Sequence, residues 1–247
     1  MAPSDAQQSA RTTGTDDAYA DLMFLGTGVS TALPALSCIL KSKGCPVCER
    51  GFLDPLDPNC RSNVSVIVRY RGREGDPDPG ITILIDAGKT LRTAALRWFR
   101  KFGVKGIDAL LLTHGHADAV GGIDDLRDLQ VVVPRIDGKG HVVSFAIENA
   151  LPIYLNQDTF DTCKGAYPYL VPELRRRDDV PRRVASLHWR VIDNATPFAV
   201  RGKGQAVQVT PIPVLHGGQY VCLGFAFGQG RCARRRVQPL FPSQDWH

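Results

Sequence analysis

The stretch that most constrains what this chain can fold into runs from Asp108 to Asp118, Asp-Ala-Leu-Leu-Leu-Thr-His-Gly-His-Ala-Asp. The apolar run Ala109 to Leu112 has the length and bounds of a short buried strand, which delivers Thr113, His114, Gly115, His116, Ala117 and Asp118 into a loop. In an extended backbone, side chains at alternate positions point the same way, so two imidazoles and a carboxylate can converge. One metal ion can collect two of them and a neighbouring ion the third. Neutral imidazole nitrogen and carboxylate oxygen suit zinc, with positions left open for water. Gly115 is expected to let the turn pack tightly against the ion. The plainer alternative is a strand followed by a polar turn with solvated histidines. The strand ahead, Asp118 behind, and the downstream Gly-Gly-Ile-Asp-Asp-Leu of residues 121–126 favour the metal site.

Other segments fall into place around this one. Leu22 to Leu25 reads as a strand running into Gly26-Thr27-Gly28-Val29-Ser30, small residues that would let backbone approach a metal centre or a phosphate. No Gly-Lys-Ser/Thr follows, so this is not a nucleotide phosphate loop. Cys38, Cys45, Cys48 and Cys60 come next. The two-residue gap between Cys45 and Cys48 lets both thiolates grip one tetrahedral ion through a tight turn. A redox pair is the alternative, although the strand-to-helix setting of such a pair is missing. Val64 to Tyr70 alternates and is rich in β-branched residues, hence a strand; residues 71–80 read as a hairpin loop, and Ile81 to Ile85 as a buried return strand ending in Asp86-Ala87-Gly88. A carboxylate at such a strand end orients ligand residues by hydrogen bonds, caps the next helix, or does both.

Leu91 to Phe102 is the clearest helix, with Leu91, Ala94, Ala95, Trp98, Phe99 and Phe102 on one stripe and Gly103 closing it. Ile123, Leu126 and Leu129 bury one side of a short helix whose Asp124, Asp125 and Arg127 form a solvated face, with a catalytic role as the alternative. Residues 131–150 are less regular, and His141 is read as surface. Ala150 to Leu155 is a strand, Asp158 to Ala166 a helix started by an Asx-type cap, residues 175–183 a solvated charge run, and Leu187 to Ile192 a strand carrying a structural His188. Tyr167 and Tyr169 are read as packing residues, with a substrate cleft as the alternative. Val207 to Leu215 is a strand that delivers His216-Gly217-Gly218, and Val221 to Phe227 is another. A second strand-end histidine is what completes a three-His zinc site.

These residues resemble the metallo-β-lactamase fold superfamily. His114-Gly-His116-Ala-Asp118 is similar to its His-x-His-x-Asp-His signature, with Ala119 where the last His stands, as in eukaryotic members of one branch. That branch contains the phosphoribosyl cyclic phosphodiesterase of bacterial phosphonate breakdown. The Leu25-Gly-Thr-Gly28 opening resembles that branch and the transfer-RNA 3′-end nucleases. Asp86 matches the superfamily's first motif, and Pro211-Ile-Pro-Val-Leu-His216 its third. Cys38, Cys45 and Cys48 match a cluster that binds a second, non-catalytic zinc; the fourth ligand is left open, and Cys60 is read as a free thiol.

The resemblance implies an α/β fold, an αββα sandwich, incomplete at its C-terminus. It implies a catalytic centre of one or two zinc ions at His114, His116, Asp118 and His216, with Asp86 behind it and a further structural zinc. The implied activity is hydrolysis of a phosphodiester or small cyclic phosphate by metal-activated water, which Asp118 orients or deprotonates. Relatives continue with a Ser-Asp motif, whose Asp bridges two metals, and a final His; after His216 this chain offers only Asp245 and His247. A truncated member that binds zinc without turnover is therefore the second reading. An RNA nuclease is a third, though no substrate-gripping arm is visible.

Composition sets the frame. A chain of 247 residues, 43% hydrophobic and 22% charged, suits one larger soluble domain. The expected organisation is a disordered lead-in over 1–18, a domain over 19–228 and a divergent basic tail over 229–247. The net charge of +5 is mild, and its late part is local to Arg231, Arg234, Arg235 and Arg236, which argues against nucleic acid as the partner of the whole domain. A small-molecule phosphoester is the expected partner, with a homodimer left open. No stretch approaches the roughly 20 apolar residues of a membrane helix, and the first twenty residues carry no secretory core. A cytoplasmic address follows, where seven cysteines serve as thiols and metal ligands.

Overall fold

Strand sequences that send alternate apolar side chains to opposite faces need cover on both sides, and that requirement organises the molecule. The computed structural model describes residues 19–41, 44–71, 80–174, 184–202 and 205–228. The lead-in over 1–18, residues 72–79 of the hairpin loop, the charge run over 175–183 and the tail over 229–247 lie outside these. A six-stranded sheet has the order β1 (Tyr19–Gly26), β2 (Ser65–Arg71), β3 (Ile81–Ile85), β4 (Ala109–Leu111), β7 (Leu151–Leu155), β8 (Leu187–Val191). The first three strands pair antiparallel; β3, β4, β7 and β8 run parallel. A second, antiparallel sheet has the order β11 (Val221–Phe227), β10 (Gln205–Leu215), β9 (Phe198–Gly202).

The period of two is visible in β3 and β4. Leu84 and Leu110 point into one core, while Ile81, Ile83, Ala109 and Leu111 point into another. The first core is closed by helices: α3 (Leu91–Trp98) supplies Leu91 and Ala94, the 3-10 turn Ile123–Leu129 supplies Ile123 and Leu126, and α5 (Gln157–Ala166) supplies Cys163. The second core is closed by Val200, Val207 and Val209 of the second sheet. Each fully buried aliphatic side chain contributes about 1.5–3 kcal/mol, so the two cores together fix the strand register. On the outer face of β10, Ile212 and Val214 stay exposed. Among the described residues the molecule is thus helix, sheet, sheet: the αββα sandwich short of its last layer.

Three local differences from the sequence reading have physical causes. Residues 131–150 form a hairpin, β5 (Val132–Ile136) and β6 (Val142–Ile147), paired only with each other. Pro134 sits inside β5, and Ile136, Val143 and Phe145 are exposed, so no period-two burial marked the strands. His141 closes that hairpin with its Nδ1 3.5 Å from Asp137, so it does have a carboxylate neighbour, at the surface. The α3 helix ends at Trp98, and turns carry the chain to Gly103 at φ +64°. The helix cap of α5 is Asn156, whose side chain accepts from the Thr159 N–H.

Candidate metal centre

The centre is built where β4 runs out of partners. Beyond Leu111 the chain enters Thr113, and Asp86 at the end of β3 is waiting for it. Asp86 stands at φ +59°, a left-handed conformation that aspartate tolerates better than most residues. Its carboxylate accepts from the Thr113 N–H at 2.8 Å and from the Thr113 hydroxyl at 2.7 Å. With that hydroxyl proton committed to Asp86, Thr113 Oγ1 accepts from His114 Nδ1, 2.8 Å away. The tautomer follows: Nδ1 carries the proton and Nε2 keeps its lone pair. Asp86 therefore acts on the histidine through Thr113, and it does not cap α3, whose cap position is Thr90.

His114 Nε2 is buried and has no hydrogen-bond partner in the protein. Its ring lies 4.8 Å from that of His116 and 4.6 Å from that of His216, centroid to centroid, and the ligand atoms of all three lie within 4.8 Å of one another. Burial, then the nearby His216, holds the His114 imidazole below its ordinary pKa, so it is neutral near pH 7. Three imidazoles with ring nitrogens this close together can hold a divalent metal ion. Asp86 is buried at 6% exposure, and that burial pushes its carboxyl up to about 7 against the pull of the Thr113 hydrogen bonds.

Asp118 joins the site by a different route from the alternation read in the sequence. The strand stops at Leu111, bends follow at Thr113, Gly115 and His116, and Ala117–Val120 is the short helix α4. Asp118 lies in the first turn of that helix, with Oδ1 3.7 Å from His114 Nε2. The glycines also serve other ends than expected. A Cβ on Gly115 would meet the Thr162 side chain of α5 at 2.9 Å, so the close fit is to a helix. Gly26 and Gly28 admit the backbone of residues 61–63 where a ligand had been expected. Gly121 and Gly122 crowd against residues 87–91, and a side chain on Gly88 would collide with the Asp118 carbonyl.

Residues without a role in the sequence reading tie these loops together. Asn63, buried at 1% exposure, donates from Nδ2 to the Val29 and Ser30 carbonyls, and its N–H bonds Thr90 Oγ1. Tyr220 accepts from the Gly115 N–H at 2.9 Å. The Arg-Ser-Asn segment ahead of β2 was a visible signal for Asn63; Tyr220 had none short of its contact across the fold.

A second cluster lies apart in the chain. Cys38 is in α1 (Leu36–Leu40), Cys45 caps α2 (Pro46–Leu53) and Cys48 lies in its first turn; the three sulfurs lie within 4.8 Å of one another. The pair Cys45 and Cys48 thus opens a helix instead of spanning a free turn. The Cys48 N–H lowers the Cys45 thiol pKa, and the Cys48 side chain raises that of Cys38. Three sulfurs this close together suit a metal ion. Cys60 stands outside it and donates to the Gly51 carbonyl at 3.0 Å, as a free thiol would. Tyr167 is half-buried against the first core, whereas Tyr169 bonds Asp124 at 3.1 Å near the surface.

Comparison with known proteins gives the family and the fold. Residues 82–236 match the Beta-lactamase superfamily domain. An octanoyltransferase of Porphyromonas gingivalis (strain ATCC BAA-308 / W83) is 28% identical over 207 residues, which are 84% of this chain and 33% of that protein. A crystal structure of a diphosphatase from the PhnP family is 30% identical with a TM-score of 0.57, covering 85% of this chain and 62% of that one. Zinc-bound PqqB from Methylobacterium extorquens, 16% identical with a TM-score of 0.50, covers 77% and 55% respectively and shares the fold. The chain spans a third of the length of the curated relative it matches, and under two thirds of each solved structure.

Proposed function

The chain belongs to the β-lactamase superfamily, and from that premise we propose that it is a zinc-dependent hydrolase of a small phosphodiester or cyclic phosphate. The observation that carries the reading is His114 Nε2, buried, without a hydrogen-bond partner, and grouped with the ring nitrogens of two further imidazoles. A buried acceptor left without a partner is costly unless something fills the site, and a divalent cation fits that donor set. His114, His116 and His216 would hold it. When bound, zinc supplies Lewis acidity that polarises a phosphoryl oxygen and makes water acidic enough to attack near neutral pH.

The chain's own groups do the rest. The Asp86–Thr113 pair holds the His114 ring and its tautomer. Asp118, 23% exposed at its side chain and beside His114, accepts the proton of the attacking water and orients it toward phosphorus. The likeness to a PhnP-family diphosphatase supports a phosphoester as substrate. Cys38, Cys45 and Cys48 would hold a separate structural zinc, and those thiols serve only while reduced, so the proposal carries a cytoplasmic setting with it. Among the described residues no helix is long and apolar enough to cross a membrane.

Hydrolysis of a phosphodiester panel that includes bis(4-nitrophenyl) phosphate tests the reading. Activity that a chelator removes, zinc restores and His114→Ala abolishes supports it. Undiminished hydrolysis by His114→Ala sinks it. The second reading is a chain that binds zinc without turnover. Full metal occupancy with no turnover on the panel would select it.

A further inference from the structure

Tyr220 closes the turn that carries His216. The His216 N–H donates to the Tyr220 carbonyl at 2.8 Å and the Tyr220 N–H to the Gly217 carbonyl at 3.1 Å, with Gly217 and Gly218 at φ +80° and +54° doubling the chain back. The Tyr220 ring then lies flat against His116, 5.1 Å between centroids and 14° between planes. It meets the rings of His114 and His216 at steeper angles, 6.4 Å and 6.3 Å away. Its hydroxyl oxygen accepts from the N–H of Gly115, the residue between the two loop histidines. One side chain thus borders all three imidazoles and bonds the peptide that links two of them.

We propose that Tyr220 is a positioning residue of the metal centre, holding the His114–His116 loop and the His216 turn in one register. The inference rests on the reading of the three histidines as metal ligands. The two contacts restrain different freedoms. Stacking limits rotation of the exposed His116 ring, and the hydroxyl fixes the peptide plane at Gly115. Without them a metal ion must order both on binding, and affinity falls accordingly. Partners that orient metal-binding residues typically change affinity about 10–100-fold when removed.

Tyr220→Phe keeps the ring and deletes the hydroxyl; Tyr220→Leu removes both contacts. Cobalt(II) titration against a competing chelator reads affinity, and the ligand-field bands of the bound cobalt read its geometry separately from any thiolate charge-transfer band of the cysteine cluster. The expected result is an affinity about tenfold weaker with shifted bands in Tyr220→Phe, weaker still in Tyr220→Leu. The metal-free melting temperature and near-UV circular dichroism of Tyr220→Phe should match the parent. Parent affinity and parent bands in a folded Tyr220→Phe overturn the inference, whether or not Tyr220→Leu folds. His114→Ala run alongside separates the failures. If it leaves cobalt uptake unchanged, the metal-centre reading falls and this inference with it; if it lowers uptake while Tyr220→Phe does not, only this inference falls.

Discussion

Asp86 and Thr113 are joined twice, main chain to one carboxylate oxygen and hydroxyl to the other, at 2.8 and 2.7 Å. The bonds hold a carboxyl that burial pushes from 3.8 to about 7 in the folded chain. Between those values the folded chain keeps a proton that the unfolded chain has released. The stability it confers is fully present below pH 3.8 and is lost as the pH rises toward 7. Asp86→Asn cannot titrate, so the metal-free variant should lack this decline. Melting temperatures of both metal-free proteins across this range check the point; parallel curves contradict it.

The histidines and cysteines form two separate clusters. Purified chain should therefore contain about two zinc ions, and His116→Ala about one. Elemental analysis of metal per chain decides this. An unchanged content in the variant would leave the cysteine trio as the metal-bearing part.

Cys48 is the buried member of that trio, and its sulfur also accepts from the Ala35 N–H. Cys48→Ala should lose one zinc and about 2 kcal/mol of stability, lowering the melting temperature by roughly 4–8 °C for a chain of this size. Chelator added to the parent should reproduce most of that shift in calorimetry. Identical melting of parent, chelated parent and variant would refute a structural ion.

Gly88 has no room for a side chain, since a Cβ would strike the Asp118 carbonyl and lie 3.1 Å from Asn63 Cβ. Gly88→Ala must push α4 away from the strand end. The expected cost is about 2–3 kcal/mol, with Asp118 displaced and any turnover lowered more than substrate binding. Denaturant unfolding together with steady-state kinetics tests both halves, and parent stability would show that the loop gives way freely.

Much of this architecture could be read from residues alone, for local reasons. The strands β3, β4, β10 and β11 announced themselves by length and apolar content, and the His-Gly-His segment by standing at a strand end. What escaped notice depended on partners far away. The β5–β6 hairpin buries too little to impose a pattern, and β9 is set by its pairing with β10. Asp118 was found for its chemistry, but it approaches from the start of a short helix after a run of bends. Gly115, Gly26 and Gly28 were recognised as places of close approach, yet what approaches them is other protein. Tyr220 lies 105 residues from Gly115, a relation no short window contains.

That separation has a consequence for how the protein matures. The Leu223 N–H bonds the Thr113 carbonyl at 2.8 Å, so β11 and the Tyr220 turn seal the site together. A chain folded only as far as β8 presents two imidazoles and an open flank. The third arrives with the last sheet, after the long loop has closed, a step whose entropy must be met before any reward. If the proposed reading of the histidines holds, metal uptake there should report the pairing of β10 and β11: in a refolding experiment, the ion should be captured in the slowest phase.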